Sequence, residues 1–347
     1  MSARRLLILA EGYSDDSHYG KTMYGVVRYR RADVVAILDS TRNGAEVDGV
    51  PVVEDVAAAM AFRPTDALVG VATQGGRFPP AWRQLLRDSI EHGLSVENGL
   101  HELIEDDAEL AELAKAHGVR LTDLRRVPDD LDVPTGENLE LPGATVLTVG
   151  SDCAIGKMTV SLELDREAKA RGIESCFVPT GQTGISIAGW GLAVDSVISD
   201  FIAGASERLV VEGSARGGTL LLVEGQGAIT HPAYSGVTVG LIHGSAPHAF
   251  VLCHQAGATE VDGYPGHPLV PLPELVELHR RLSLPRRQAA VACIALNTRH
   301  LDDAPAREAV RRAEADTGLI ADDPVRFGAG RLLDALLAHL SGLGLTV

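Results

Sequence analysis

A short glycine-containing stretch carries the residues with the clearest chemical potential. It follows an apolar run and precedes a helical pattern that extends through Lys169. Glycines let backbone N–H groups converge on phosphate oxygens, and a helix N-terminus adds partial positive charge. Lys157 follows Gly156 and can reach the β- and γ-phosphates of a nucleotide. The pattern predicts a phosphate-binding loop made of Gly150, Ser151, Asp152, Cys153, Ala154, Ile155, Gly156, Lys157, Met158 and Thr159.

The spacing inside this loop departs from the common phosphate-loop pattern in two respects. Five residues separate Gly150 from Gly156 where four are usual, and Met158 stands where Ser or Thr normally supplies a Mg²⁺ ligand. The longer spacing resembles the loop of dethiobiotin synthetase and its relatives, whose pattern is G-T-D-x-x-V-G-K-T. Thr159 is the candidate for the missing metal ligand, with water as the alternative. A chance Gly-Lys turn before a helix is the competing interpretation.

Acidic residues farther along the chain are candidates for a metal site and for acid–base chemistry. An apolar run over 219–223 ends in Glu224, and a carboxylate at such a strand end can hold Mg²⁺ directly or through water. The segment resembles the V-E-G-A-G stretch of dethiobiotin synthetases, and a carboxylate that caps a turn is the alternative. Asp195 and Asp200 are five residues apart, which places them on roughly opposite sides of one predicted helix. Asp200 is the candidate metal ligand or base.

Several loop residues are candidates for contacts with ligands. His231 can act as an acid or base near neutral pH, although a turn residue is an equal alternative, and Tyr234 can position a substrate. Asn297 follows an apolar run and is the candidate for contact with a nucleotide base. The catalytic candidates are Lys157, Glu224, His231 and Asp200.

Two further loops are candidates for binding the substrate. The loop over 178–184 is dense in glycine and hydroxyl groups, which favours contact with a terminal phosphate or with the acceptor. Lys21 and Thr22 follow a glycine, as at a helix start that binds an anionic group, and a simple helix start is the alternative. The substrate-binding candidates are Lys21, Thr22, Thr180, Gln182, Thr183, Gln226 and Tyr234.

The elements that position these residues alternate between strands and helices. Continuous apolar runs are typical of parallel strands buried on both faces, and the helices between them imply doubly wound sheets. The segment 127–143 is rich in Pro, Asp and Gly, lacks periodicity and is the predicted linker. The predicted fold class is α/β, with a Rossmann-like doubly wound domain over 1–126 and a P-loop NTPase-like domain with a mainly parallel sheet over 144–347.

Composition narrows the partners and the compartment. The formal net charge of −16 argues against nucleic acid, because neutralising phosphates requires a basic surface. No apolar run reaches the roughly 18 residues of a membrane-spanning helix, so we expect no membrane association and a cytoplasmic location. A homo-oligomer is also expected. Buried thiols are favoured over disulfides or a zinc site, since no CxxC pair occurs among Cys153, Cys176, Cys253 and Cys293.

Taken together, these segments resemble the DgcN-type family, which joins a Rossmann-like domain to a P-loop domain. Met158 is usual in that family, whose best-described member is a D-glutamate N-acetyltransferase. The resemblance therefore implies acyl transfer onto the amine of a small amino acid, D-glutamate or a related one. It covers nearly the whole chain and rests on Gly20, Lys21, Thr22, Gly25, Arg28, Tyr29, 37–40, 150–159, Asp200, Phe201, 224–227 and 231–236.

Two acyl donors are compatible with these residues. Acetyl-CoA can donate the acyl group, with the loop holding the CoA diphosphate, or ATP and Mg²⁺ can activate a carboxylate as an acyl phosphate. The motifs favour ATP in a carboxylate–amine ligase, and the resemblance favours acetyl transfer. A nucleotide-dependent regulatory module is a third possibility. An NAD(P)-dependent epimerase or reductase is a fourth, and the lack of a G-x-G-x-x-G motif in the first domain counts against it.

Overall fold

The computed structural model describes residues 4–347. At Gln74 it describes the main chain and not the side chain. The chain forms two compact units. The first contains the residues up to Val127 together with Gln182–Ser196, and the second contains Pro128–Gly181 and Val197–Val347. The segment Gln182–Ser196, which the sequence places in the second domain, thus groups with the first unit.

Strands form where consecutive apolar residues are buried on both faces of a sheet. Their bounds are β1 Leu6–Leu9, β2 Val34–Leu38, β3 Glu46–Val47, β4 Val50–Val53, β5 Asp66–Val69, β6 Ser95–Asn98, β7 Leu121–Asp123, β8 Ala144–Gly150, β9 Ser175–Val178, β10 Leu220–Val223, β11 Ala249–Gln255, β12 Ala290–Asn297 and β13 Ala321–Asp322. All seven residues of β8 are buried, so this strand lies inside its unit.

Helices connect the strands. Their bounds are α1 Lys21–Tyr29, α2 Val56–Ala59, α3 Trp82–Glu91, α4 Ala108–His117, α5 Lys157–Ala170, α6 Gln182–Ala188, α7 Ile202–Ala215, α8 Ser235–Ser245, α9 Leu272–Leu282, α10 Asp303–Thr317 and α11 Gly330–Gly342. None of the helices within residues 4–347 combines the length and the apolar character needed to cross a bilayer.

The first unit is built on a seven-stranded sheet in the order β3-β4-β2-β1-β5-β6-β7. Its strands are parallel except for the β3–β4 pair, which is antiparallel. After β2, the carboxylate of Asp39 accepts the amides of Gly12, Ser14 and Thr41 at 3.0–3.1 Å. In dinucleotide-binding Rossmann folds an acid at this position binds ribose. Here it holds the loop that follows β1.

Side-chain contacts explain why Gln182–Ser196 belongs to the first unit. The hydroxyl groups of Thr183 and Thr22 are 2.8 Å apart. The buried guanidinium of Arg125 donates to Asp195 at 2.5 Å and to Gln182 at 2.9 Å. These long-range polar contacts hold α6 and the turn that follows it.

The second unit is built on a fully parallel sheet in the order β13-β12-β11-β8-β10-β9. The strand β8 lies between β11 and β10, so the chain leaves it at Gly150 beside the carboxyl ends of two other strands. Ligand sites in parallel α/β sheets form at this edge. The Rossmann-like and P-loop α/β fold expected from the sequence is confirmed.

The predicted linker packs on the second unit rather than crossing open solvent. The carboxylate of Glu207 on α7 accepts the amides of Thr135 and Gly136 at 2.8 and 2.7 Å. The buried side chain of Asn138 donates to the carbonyl of Gly244 at 2.7 Å. A segment without sequence periodicity therefore acquires a fixed path through contacts with distant residues.

A partly buried histidine at the amino-terminal end of the second sheet links stability to pH. The Nδ1 atom of His248 accepts the amide of Thr145 at 3.0 Å. Burial, followed by the positive charge of Arg287, lowers the pKa of His248 to about 4. Burial likewise lowers the pKa of His279 to about 4.

We expect the free energy of unfolding to fall as the pH decreases from about 6.5 to about 4. In this range the unfolded chain binds a proton at His248 that the folded chain does not bind. The slope from this residue is at most about 1.4 kcal/mol per pH unit, and less because the ring is partly exposed. Urea unfolding at several pH values measures the slope. His248→Gln should make it shallower, leaving the part from His279, and an unchanged slope contradicts the assignment.

Candidate phosphate-binding site

The glycine-containing loop turns the end of β8 into the start of α5 by an unusual backbone path. Gly156 precedes the helix with φ 110°, and Ala154 has φ 52°. Residues other than glycine seldom adopt positive φ, and strain of this kind clusters at functional sites. The path places the helix N-terminus directly after the loop, as a phosphate-binding loop requires.

The amides of this loop are the main feature of the site. Those of residues 154–159 donate to no acceptor in the part of the chain that the structure describes. By contrast, the amide of Ser151 donates to the carbonyl of Cys253, and that of Cys153 donates to the carboxylate of Asp152. Six consecutive donors at a helix N-terminus form a suitable cradle for a diphosphate. The residues present therefore fit the phosphate group that the sequence predicts.

Lys157 points into the site. The residue is 5% exposed, and Nζ donates to the carbonyl of Asp152 at 2.7 Å. Burial lowers the pKa of Lys157, and this effect is opposed by Cys153, Cys253, Asp152 and Glu224. The ammonium group is thus held inside the loop with little solvation, where an anionic ligand would stabilise its charge.

Close packing around Lys157 explains two of the glycines. A Cβ at Gly150 would lie 2.8 Å from Cδ1 of Ile155 and 3.3 Å from Nζ of Lys157. A Cβ at Gly225 would lie 1.6 Å from the carbonyl oxygen of Thr148, which is impossible without movement of the backbone. Glycine at these two positions leaves space for the side chain of Lys157.

Residues from neighbouring strands and loops support the loop from behind. The hydroxyl of Ser151 is 2.9 Å from Nδ1 of His254, and Asn297 donates to the carbonyl of Ile155 at 3.2 Å. The amide of Asp262 donates to the carboxylate of Asp152 at 2.8 Å. Asn297, the candidate for base contact, thus holds the loop. His254 and Asp262 were not predicted, although the position of His254 near the carboxyl end of a parallel strand was a signal.

Glu224 and the predicted 178–184 loop come together. The carboxylate of Glu224 accepts the amides of Thr180 at 2.9 Å and Gly181 at 3.1 Å. The side chain of Gln226 donates to the carbonyl of Thr180 at 2.5 Å. Glu224 lies at the end of β10, beside β8, and its charge acts on Lys157. Its carboxylate anchors the loop at Thr180 and Gly181.

His231 is buried close to the start of the loop. Its Nε2 atom is 3.8 Å from a carboxylate oxygen of Asp152. Its ring stacks on that of Tyr234 at 4.8 Å and meets the edge of Tyr264 at 5.1 Å between centroids. Burial lowers the pKa of His231, Asp152 opposes this effect, and Lys157 adds to it. Tyr264 was not predicted, because no local pattern connects it with residue 231.

The acidic candidates do not assemble into a cluster of three ligands. In residues 4–347, one group of three His, Cys, Asp or Glu ligand atoms lies within 4.8 Å, and it consists of Asp152, Cys153 and His231. Neither Glu224 nor Asp200 belongs to it. Asp200 is exposed.

The expectation that Asp195 and Asp200 share one helix is wrong. They lie in separate short turns, Val194–Ser196 and Ser199–Phe201. Asp195 is drawn into the first unit by its ion pair with Arg125.

The remaining substrate-binding candidates belong to the first unit. Lys21 is exposed at the first position of α1, whereas Thr22 is buried against Thr183. Gln182 accepts a hydrogen bond from Arg125. The structure thus groups these four candidates in one unit and the loop, Glu224, Thr180, Gln226, His231 and Tyr234 in the other.

The fold and the loop define an α/β protein with a Rossmann-like unit and a P-loop unit. Models of known domain families agree with this division. Residues 132–333 match the P-loop domain and residues 40–127 match the Rossmann-like domain of DUF1611, both described as domains of unknown function. The chain belongs to the DUF1611 family.

Two named relatives and a solved structure extend the comparison. The chain is 41% identical over 276 residues to a D-glutamate N-acetyltransferase of Tritonibacter scottomollicae, covering 78% of this chain and 80% of that protein. It is 34% identical over 274 residues to an enzyme of the same name from a Pseudoalteromonas species, covering 79% and 80%. A crystal structure of a DUF1611 protein from Anabaena variabilis superposes with a TM-score of 0.91 at 39% identity, covering 96% and 99%. The family resemblance seen in the sequence is confirmed.

Replacing the loop lysine should separate ligand binding from stability. Lys157→Met removes the ammonium group but keeps a chain of similar length. We expect pyrophosphate to bind at least about tenfold more weakly, because a charge-assisted contact is lost. The melting temperature should be unchanged or higher, since burial opposes the charge. Calorimetric titration and thermal unfolding measure the two effects.

The matched control is Lys169→Met, at the exposed end of the same helix. Lys169 pairs with Asp165 at 2.7 Å, and its side chain is 56% exposed. This variant should bind pyrophosphate like the parent protein. Equal affinities of Lys157→Met and the parent would show that the lysine does not face the ligand.

Proposed function

We propose that this protein transfers an acetyl or related acyl group to the amine of a small amino acid, with D-glutamate as the first candidate. The observation that carries the proposal is the row of free amides at residues 154–159 around Lys157. This row suits the diphosphate of an acyl donor. The names of two relatives that align with more than three quarters of the chain supply the acyl group and the acceptor.

Acetyl-CoA is the donor that the site supports best. Its diphosphate can be held by amides and one lysine without a metal ion. The residue after Lys157 is Met158, which offers no oxygen ligand, and the carboxylate of Glu224 already accepts two amides. Both features make a Mg²⁺ site next to the phosphates weaker than in a common P-loop.

The length of CoA separates its diphosphate from its thioester. The twelve covalent bonds from the phosphate ester oxygen to the sulfur span about 15 Å when extended. With the diphosphate in the loop, Lys157 binds the donor and does not touch the reacting carbonyl of an extended ligand. A group that deprotonates the amino acid then lies away from Gly150–Thr159.

An ATP-dependent ligase is the alternative. The position of Glu224 at the end of β10, beside the strand that leads into the loop, favours it, because an acid there commonly holds Mg²⁺. In that case Lys157 and Glu224 would stabilise the phosphates and the metal during formation of an acyl phosphate. Thr159 and Asp200 are the other metal candidates from the sequence. The proposal includes a homo-oligomeric state in the cytoplasm, without nucleic-acid or membrane partners.

One assay separates the two chemistries. We expect the purified protein to release free thiol from acetyl-CoA when D-glutamate is present and no ATP is added. L-glutamate is the matched control for the acceptor's chirality. A parallel reaction contains ATP, Mg²⁺, acetate and D-glutamate, and ADP is measured.

ADP release that depends on the amine would replace the acyltransferase proposal with the ligase. If no amino acid stimulates either signal, amide formation is the wrong function. Turnover of another amino acid with acetyl-CoA would keep the reaction class and change the acceptor.

A further inference from the structure

Backbone contacts fix the tautomer of the His231 imidazole, that is, which ring nitrogen carries the proton. Nδ1 accepts the amide of Ala233 at 3.0 Å and the amide of Tyr234 at 3.2 Å. A ring nitrogen that accepts two N–H donors carries no proton of its own. In the neutral ring the proton is therefore on Nε2, and the backbone determines this tautomer.

The surroundings keep this ring neutral and immobile. His231 is 3% exposed, and burial disfavours the imidazolium form. Tyr234 stacks on one face and the edge of Tyr264 packs against the ring. A second proton would have to enter at Nδ1, between two amide donors. The side chain is consequently a rigid N–H donor.

The Nε2–H group faces the phosphate-binding loop and lacks a hydrogen-bond partner there. Oδ1 of Asp152 lies 3.8 Å from Nε2, which is beyond hydrogen-bond distance. In the described chain no atom accepts a hydrogen bond from Nε2. An N–H donor without a partner in the protein is available to water or to a ligand.

The same tautomer argues against two other roles. Asp152, Cys153 and His231 have residue types that suit zinc, and their ligand atoms lie within 4.8 Å. Zinc, however, requires a ring nitrogen with a free lone pair. The lone pair of Nδ1 is used by two amides and that of Nε2 is used by its proton. For the same reason His231 cannot accept a proton as a general base while these contacts last.

We propose that His231 is a ligand-binding residue that donates its Nε2 proton to an oxygen of the phosphate group held by Gly150–Thr159. The proposal rests on the proposed function only in that this loop holds a phosphorylated donor, and it is the same for acetyl-CoA and for ATP. The Nε2–H group of His231 adds a side-chain hydrogen bond to those of the loop amides. Because the imidazole is neutral, it does not change the net charge of the Lys157 and Asp152 pair.

The tautomer can be observed without any catalytic assay. Two-dimensional ¹H–¹⁵N NMR of histidine-labelled protein at pH 7 distinguishes a protonated Nε2 from a protonated Nδ1, and the signals missing in His231→Gln assign the ring. We expect the Nε2–H form, and we expect its signal to shift when pyrophosphate is added. A protonated Nδ1, or a signal that ignores pyrophosphate, overturns the proposal.

Two variants test the N–H donor of His231 by calorimetric titration with pyrophosphate and with acetyl-CoA. His231→Phe keeps a flat ring but has no donor, and it should bind about tenfold to a hundredfold more weakly. His231→Gln keeps an N–H donor and an acceptor for the two amides, and it should stay within about threefold of the parent. Parent-like binding by His231→Phe, or equal loss in both variants, contradicts the proposal. So does a parent protein that binds neither probe.

A zinc titration completes the test. We expect the parent, His231→Gln and Cys153→Ser to behave alike with ZnCl₂. A one-to-one zinc site that both substitutions abolish would establish a metal centre and overturn the proposal. None of these readouts is turnover, so failure of the acyltransferase assay with these results intact would refute the reaction and not the role of His231.

Discussion

The phosphate-binding loop of the second unit presents six consecutive amides, those of residues 154–159, that have no acceptor within the described protein. An amide left without any partner costs on the order of 1–3 kcal/mol, so water or a ligand must satisfy these groups, whose residues range from exposed to buried. The positive φ of Gly156 and the confined space at Gly150 and Gly225 maintain the arrangement. The sheet order, with β8 between β10 and β11, surrounds the loop with the ends of neighbouring strands.

The two carboxylates whose charges act on Lys157 accept hydrogen bonds from backbone amides. Asp152 accepts the amides of Cys153 and Asp262, and Glu224 accepts those of Thr180 and Gly181. The charges of both carboxylates oppose the effect of burial on the pKa of Lys157. The loop is therefore held by hydrogen bonds from several segments. A site of this kind is organised for binding phosphate before the ligand arrives.

Local patterns explain what could be predicted from the sequence. A strand, a glycine-containing loop and a helix are adjacent in the chain, so the phosphate-binding loop was recognisable without any tertiary information. The apolar runs likewise predicted β1, β2 and β5 of the first sheet, although not β4 or β6, and most strands of the second. By contrast, β3, β7 and β13 have only two or three residues and carry no comparable signal.

The rest of the site depends on contacts between residues that are far apart in the chain. His254, Asp262 and Tyr264 reach the loop and His231 through the tertiary fold, across about a hundred residues in the first two cases. The packing of Gln182–Ser196 on the first unit depends on Arg125, which no pattern near residue 182 reveals. The tautomer of His231 is likewise a property of the folded backbone, because it depends on where two amides point.

A crystal structure of the protein with acetyl-CoA is the most direct test of the account. We predict that diphosphate oxygens will lie about 2.7–3.2 Å from amide nitrogens within residues 154–159, with Nζ of Lys157 turned from the carbonyl of Asp152 toward the ligand. A diphosphate bound elsewhere on the chain, with water on these amides, would contradict the account.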